Sequence, residues 1–430
     1  MTIDQSKYSL WRLGLYFFLI VACERAFSDR DIDKKPVREL ENEQRVSAQK
    51  REDPDKKEEA AQLGVVWATW SPAGYDSPQA HIQKIKQEGF RLVCMAPTYA
   101  VKSLERIEHA SAPSLEAQKK AITALLKEGF SVVYRPQLDP IRYFGHYRQV
   151  STDDHSWVAG SDWRGMFDID PLLRDYKDLI LFSSLSMIRE VLDERASDRA
   201  GPKIRFDIGS ELMNSIVFRT DRWVALQKEI RSSDTYKAIK EKILLSHNFS
   251  HHFEIPQDFV KRMEPSNLRS LSQYISGLDA VSISQYMDLT LFASDSIETG
   301  TPLPTAVEVA KALRYHEDSF IKNVLTGYLK MQANEIPTLH IGEFGIGTGG
   351  LRHPNLWQGE VSANHAIQAT RGFEGLVAYL SIPAEQRVAK SVVLWVAGRC
   401  YDIFGWEDPK AEIPGAADSI RAYLAMRNAR

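Results

Sequence analysis

Cysteine is scarce in this chain, with only Cys23, Cys94 and Cys400 among 430 residues, and that excludes a disulfide framework as the source of its stability. An excess of one charge is lacking too. Lys and Arg number 54 against 57 Asp and Glu, a net charge of -3, so no global field attracts a polyanion and nucleic-acid binding loses its usual electrostatic footprint. No Gly-x-Gly-x-x-Gly follows an early strand pattern, which argues against a dinucleotide site. The glycine run at residues 345–350 lacks the Gly-Lys-Ser/Thr of a phosphate loop and reads instead as a loop over a site. No cofactor is expected. The composition, 43% hydrophobic and 26% charged, is that of a globular chain able to bury a sizeable core.

The first apolar run, residues 13–22, follows Lys7 and Arg12 and is too short to cross a ~30 Å hydrocarbon layer comfortably. It reads as a signal-peptide core. Its end, Ile20-Val21-Ala22-Cys23, resembles the lipobox of bacterial lipoproteins, which implies acylation of Cys23 and a membrane-tethered protein in the bacterial envelope, facing the periplasm or the cell surface. From Glu24 to Gln62, 22 of 39 residues are charged, Phe27 is the only aromatic and glycine is absent. Such a segment has too little apolar surface to offset its ordering entropy and is expected to be a disordered tether. The expected organisation is a signal peptide over 1–22, a tether over 23–62 and one folded, monomeric domain over 63–430.

In that domain short β-branched runs alternate with longer amphipathic segments, the pattern of repeating βα units. The runs fall at residues 64–70, 91–96, 131–136, 203–209, 242–246, 279–284, 337–342 and 391–396, with helical patterns at 79–88, 114–128, 172–194, 221–231, 257–275, 305–331, 362–380 and 416–426. Two phrases, Lys86-Gln87-Glu88-Gly89-Phe90 and Leu126-Lys127-Glu128-Gly129-Phe130, each put a glycine after a helix and an apolar residue into the next strand. Eight such units predict an α/β fold, a (β/α)8 TIM barrel with enlarged loops; an open doubly wound sheet is the alternative.

A barrel gathers the groups at the carboxyl ends of its strands at one mouth. The fourth strand there leads into Gly209-Ser210-Glu211-Leu212 and the seventh into Gly342-Glu343-Phe344-Gly345. A carboxyl pair across a barrel mouth suits glycosidic cleavage, in which one acid protonates the leaving oxygen and a second carboxylate attacks the anomeric carbon. Two strand-end charges held in ion pairs are the structural alternative.

At these motifs the sequence resembles the retaining glycoside hydrolases of clan A, and within them glycoside hydrolase family 113, the β-mannanase-like barrels. Gly209-Ser210-Glu211-Leu212 is similar to that family's Gly-Thr-Glu-Leu, Glu343-Phe344-Gly345 to its seventh strand, and Leu278-Asp279 through Tyr286 to its sixth. Asp162-Trp163-Arg164-Gly165 and Trp223 agree in order. Two phrases depart: Ser246-His247-Asn248 stands for the family's tyrosine-asparagine, and Pro136-Gln137-Leu138-Asp139 for Pro-His-x-Asp.

The resemblance implies Glu211 as general acid/base and Glu343 as nucleophile of a double displacement on a β-linked polysaccharide or oligosaccharide. It also implies Tyr286 as a hydrogen-bond donor to the nucleophile and Ser210 as a contact to the sugar 2-hydroxyl. Trp70, Trp163, Arg164 and Trp395 complete the expected substrate-binding set. The aromatic-rich stretch between Pro136 and Pro171 suits a sugar cleft, and the histidines from His247 to His252 lack metal-ligand spacing, so no metal is expected. Two readings from other classes stand beside the enzyme: a non-catalytic carbohydrate-binding lipoprotein on a degenerate barrel, and a metal-dependent deacetylase.

Overall fold

The computed structural model describes residues 62–69, 73–103, 106–108, 112–139, 174–194, 204–210, 212, 216, 220–249, 265–286, 304–346, 363–383, 386–396, 401–407 and 409–429. The signal peptide, Cys23 and the rest of the expected tether up to Ala61 lie outside them, as do most of the aromatic stretch before Pro171 and Cys400, while Gln62, expected to end the tether, opens the first strand.

Eight parallel strands form the centre: β1 Gln62–Thr69, β2 Leu92–Ser103, β3 Ser131–Tyr134, β4 Ile204–Ser210, β5 Ile243–Phe249, β6 Ala280–Tyr286, β7 Thr338–Gly345 and β8 Ser391–Leu394. Each pairs with its neighbours in sequence order, and β1 pairs with both β8 and β2, which closes the ring. No edge strand is left in it. Two short strands, Arg106–Glu108 and Gln137–Asp139, add to the far end of β2 beyond the closed part.

A helix follows each strand: α1 Pro78–Gln87, α2 Leu115–Lys127, α3 Phe182–Asp193, α4 Thr220–Ser232, α5 Pro265–Ser276, α6 Ala306–Ser319, α7 Ala363–Leu380 and α8 Pro414–Asn428. The predicted glycine turns are present at the ends of α1 and α2. Gly89 and Gly129 have φ of +90° and +83°. The amides of Phe90 and Phe130 reach back to the carbonyls of Ile85 and Leu125, the Schellman arrangement that satisfies a helix end and sends the chain into the next strand. At the other ends, the Ser114 hydroxyl accepts from the Ala117 amide and Thr305 forms a reciprocal capping box with Glu308.

Where the sequence pattern predicts single helices over 172–194 and 305–331, the backbone takes a π-helical course at Tyr176–Leu181 and Phe320–Tyr328. Periodicity read over such long windows does not resolve the wider turn. The core lies between strands and helices, built on residues such as Val65, Val93, Phe206, Leu245, Val281 and Ile341, all 1% exposed or less.

The inside of the barrel is different. TIM-barrel interiors are dominated by branched aliphatic side chains, but here Arg135, Arg205, Asp207, Ser246, Asn248, Ser282, Ser284, Glu343 and Ser391 are all buried. Polar interior side chains from opposite walls bond across the lumen, as Arg135 of the segment after β3 does with Glu343 of β7 and Arg205 of β4 does with Ser391 of β8. Buried polar groups need such partners, because leaving one unpaired costs ~1–3 kcal/mol.

Candidate active site

Strand geometry alone sends alternate side chains to opposite faces, and two irregularities decide what reaches the barrel mouth. Along β7, Ile341 pairs with Ile283 of β6, and the next residue of β6, Ser284, pairs with Glu343. Gly342 is an extra residue, and the β8 side shows the same step, from Val392–Ile341 to Leu394–Phe344. This is a β-bulge. His340 and Glu343 therefore both face the lumen while Phe344 faces outward, where it packs on Phe373 of α7.

A glycine is required at the bulge. A Cβ on residue 342 would sit 1.9 Å from Asn248 Oδ1 and 2.8 Å from Arg135 Nη2. β4 carries a second bulge, since Asp207 pairs with Ser246 and Ser210 with Asn248, three residues on one strand against two on the other. Alternation is thus broken both along β7, just before Glu343, and at the end of β4.

Glu343 is 2% exposed, and four donors converge on its carboxylate. Oε1 accepts from Arg135 Nη1 at 3.0 Å, Gln137 Nε2 at 3.1 Å and Asn248 Nδ2 at 3.4 Å. Oε2 accepts from the Tyr286 hydroxyl at 2.6 Å. Arg135 and Gln137 follow β3, Asn248 lies on β5 and Tyr286 on β6, so three walls of the barrel fix one functional group of a fourth. A carboxylate held this rigidly at a barrel mouth has the positioning that a nucleophile or an electrostatic stabiliser requires.

Comparison with solved structures gives the fold a precedent. A GH113 β-1,4-mannanase superimposes with a TM-score of 0.52 at 14% identity, covering 85% of this chain and 99% of that one. The GH113 β-mannanase AaManA from Alicyclobacillus acidocaldarius, in complex with ManMIm, gives 0.50 at 15% identity, covering 85% and 98%. In fold, the chain is similar to the family 113 β-mannanases. No protein-family sequence model matches the chain, and no curated protein matches it by sequence.

On this mannanase-like barrel, electrostatics around Glu343 pull in two directions. Burial pushes its carboxyl above the usual glutamate range, and the Arg135 guanidinium and the hydrogen bonds from Tyr286 and Arg135 pull it back, while Asp207 pushes it up again. Cys94, on the lumen wall of β2, has its thiol pushed up to about 12 by burial and stays protonated. His340 precedes Glu343 on the same strand, its Nδ1 2.7 Å from Ser391 Oγ. Burial, with Arg205 and Lys390 nearby, holds its imidazole well below the usual range, so it is neutral.

The other predicted site residues fall as follows. Ser210 ends β4, is buried, and lies 3.3 Å from Asn248 Nδ2, which also lies 3.0 Å from Ser284 Oγ. Tyr286 stands beside Glu343 as expected from the sequence, its ring edge-on to Tyr401 at 5.7 Å. Trp395 follows β8 and is 3% exposed, packed with the core and showing almost no surface on which a sugar could stack. Trp223, which opens α4, is fully buried against His247 and Tyr274. Glu211, Trp70, Trp163 and Arg164 lie outside the described residues. Among the described residues, no three His, Cys, Asp or Glu side chains group so as to hold a metal ion.

Sequence reasoning missed Arg135, Gln137, Asp207 and Asn248. A signal was there for two of them: Val132-Val133-Tyr134-Arg135-Pro136 and Ile204-Arg205-Phe206-Asp207-Ile208 put charges inside apolar strands. A charge on a strand walled by core residues has to meet an opposite one.

Proposed function

We propose that the chain is a retaining glycoside hydrolase acting on a β-linked polysaccharide or oligosaccharide of the β-mannan type. Glu343 is the nucleophile and Glu211 the general acid/base. The observation that carries this reading is the carboxylate of Glu343, turned into the barrel mouth by the Gly342 bulge and gripped by four donors. The likeness in fold to family 113 β-mannanases supports it, and so does the matching bulge in β4, immediately before Glu211.

The reaction runs in two steps. Glu343 Oε attacks the anomeric carbon as Glu211 gives its proton to the departing glycosidic oxygen, leaving a glycosyl ester on Glu343. Glu211, now a carboxylate, takes a proton from water, which attacks the same carbon and releases Glu343. Two displacements give net retention, and direct attack calls for a carboxyl separation of ~5–5.5 Å. The Tyr286 hydroxyl and Arg135 stabilise Glu343 as an anion before attack and as a leaving group afterwards, and Ser210 with Asn248 offers polar contacts to the sugar. A lipid on Cys23 would hold the enzyme at the bacterial envelope.

The test is a panel of β-mannan, β-glucan, chitosan and peptidoglycan fragments, with the anomer of the first product read by NMR. Glu343→Ala is expected to abolish turnover on every substrate. Glu211→Ala is expected to spare glycosylation when the leaving group is an acidic nitrophenolate. A first product of inverted configuration overturns double displacement. Full activity of both alanine variants overturns the assignment of Glu343 and Glu211, and a wild-type protein that binds the panel but cleaves none of it overturns the enzyme in favour of a carbohydrate-binding lipoprotein.

A further inference from the structure

Below Glu343 the lumen holds a column of charges that alternate in sign. Arg205 Nε lies 3.8 Å from Asp207 Oδ1, Asp207 Oδ2 accepts from Arg135 Nε at 2.7 Å, and Arg135 Nη1 donates to Glu343 Oε1 at 3.0 Å. All four side chains are buried, and Arg135 and Asp207 are wholly inaccessible. Asp207 is itself fixed, because the Ser246 hydroxyl donates to its Oδ1.

We propose that Asp207 is a positioning residue for the reaction at Glu343, acting through Arg135. Three features of the geometry lead there. Asp207 engages the Nε edge of the guanidinium, so that Arg135 meets Glu343 through the single nitrogen Nη1, which it also shares with the Gly342 carbonyl at 2.9 Å. A guanidinium free to turn would present a forked pair of N–H groups to Glu343, the strong bidentate pairing. Asp207 also stands between two arginines as their shared counter-charge, so the cation facing Glu343 is already half neutralised. A carboxylate gripped by an unshared guanidinium is a weaker base and a weaker nucleophile. Finally, Asp207 has no exposed surface, so it does not meet a sugar itself, and Arg135 is the side chain that touches both it and Glu343.

The groups facing Glu343 can be named wall by wall. Cys94 on β2 is a protonated thiol, Arg135 and the uncharged Gln137 follow β3, Asp207 lies on β4 with Arg205 on its far side, Asn248 on β5 is uncharged, and Tyr286 is on β6. Removing the negative charge of Asp207 leaves the arginines unopposed, so Glu343 should titrate lower. Removing Arg135 should make it titrate higher.

This inference rests on the glycosidase reading and is tested on the pH profile of kcat/KM. The substrate is the nitrophenyl β-glycoside that the full-length protein cleaves best; its acidic leaving group needs no proton, so the acidic limb reports the nucleophile. For Asp207→Asn the limb is expected to move to lower pH and the plateau to fall roughly 100-fold, the scale of a displaced reacting group. Asp207→Glu, which keeps the charge, should return the limb to its original position even at reduced rate. If Asp207→Asn fails to fold, the double variant Asp207→Asn/Arg135→Gln removes the pair together and is expected to raise the limb. A limb unmoved or raised in folded Asp207→Asn, or unmoved in the double variant, overturns the proposal. Wild-type protein inert on all nitrophenyl β-glycosides overturns the glycosidase reading beneath it.

Discussion

Replacing Tyr286 by phenylalanine removes one oxygen atom and little else, since the ring and its edge contact with Tyr401 remain. What is lost is the 2.6 Å hydrogen bond to Glu343 Oε2, while the three donors on Oε1 are untouched. A hydrogen bond to a charged partner is worth ~1.5–3 kcal/mol, and if all of it acts on the transition state kcat/KM should fall by about 10- to 150-fold. The bond favours the anion, so its loss moves Glu343 further above the usual glutamate range and the acidic limb of the profile to higher pH.

The same change acts on stability with a definite sign. Glu343 titrates higher in the fold than in the unfolded chain, so the stability gained from its protonated form is complete below the unfolded value and is lost as pH rises through the folded one. Tyr286→Phe widens that loss. Urea denaturation should therefore show a deficit that is larger at pH 7 than at pH 4, where the carboxyl is mostly neutral. An unshifted acidic limb with wild-type rates would refute the reasoning about activity, and a pH-independent deficit would refute the linkage to Glu343.

Two other expectations concern regions away from the mouth. Tyr379 of α7 donates to both oxygens of buried Glu317 on α6, at 2.8 and 2.7 Å, and accepts from the Ala389 amide. Tyr379→Phe should cost ~1–3 kcal/mol by removing a hydrogen-bond donor from a buried carboxylate, seen as a lower urea midpoint with unchanged slope and unchanged catalysis; an unmoved midpoint would show that the pair contributes nothing. Cys23→Ser should move the protein from the membrane to the soluble fraction, whereas continued attachment with an uncleaved amino terminus would mean a signal anchor.

The eight βα units were legible because each strand is a β-branched run and the ends of α1 and α2 are punctuated by glycines whose φ only glycine adopts easily. Glu343 and Tyr286 were legible as residues at strand ends. Arg135 and Asp207 showed only as charges inside apolar strands and Asn248 only as a polar strand-end residue, because the partners that give them their roles come from walls far away in sequence. Gln137 lies on a short strand beyond the ring, Gln137–Asp139, paired to an extension of β2 that runs past the apolar stretch defining β2 in the sequence. The π-helical stretches before α3 and after α6 were invisible for a similar reason: one added residue per turn barely disturbs an averaged pattern.

The single-residue bulge in β7 makes the site depend on the pairing register of the strand in a way that substitution scanning would not reveal. An unbulged register, with Gly342 opposite Ser284, would give β7 perfect alternation along its present length. It would also turn the Glu343 carboxylate into the helix layer, bring the Phe344 ring over the lumen, and leave Arg135 and Asn248 facing an aromatic face instead of an anion. Loss of Gly342 itself would leave Ile341 and Glu343 as consecutive partners of Ile283 and Ser284, so the carboxylate keeps its side of the wall in the bulged strand or in a shortened one, but not in an unbulged strand of the present length.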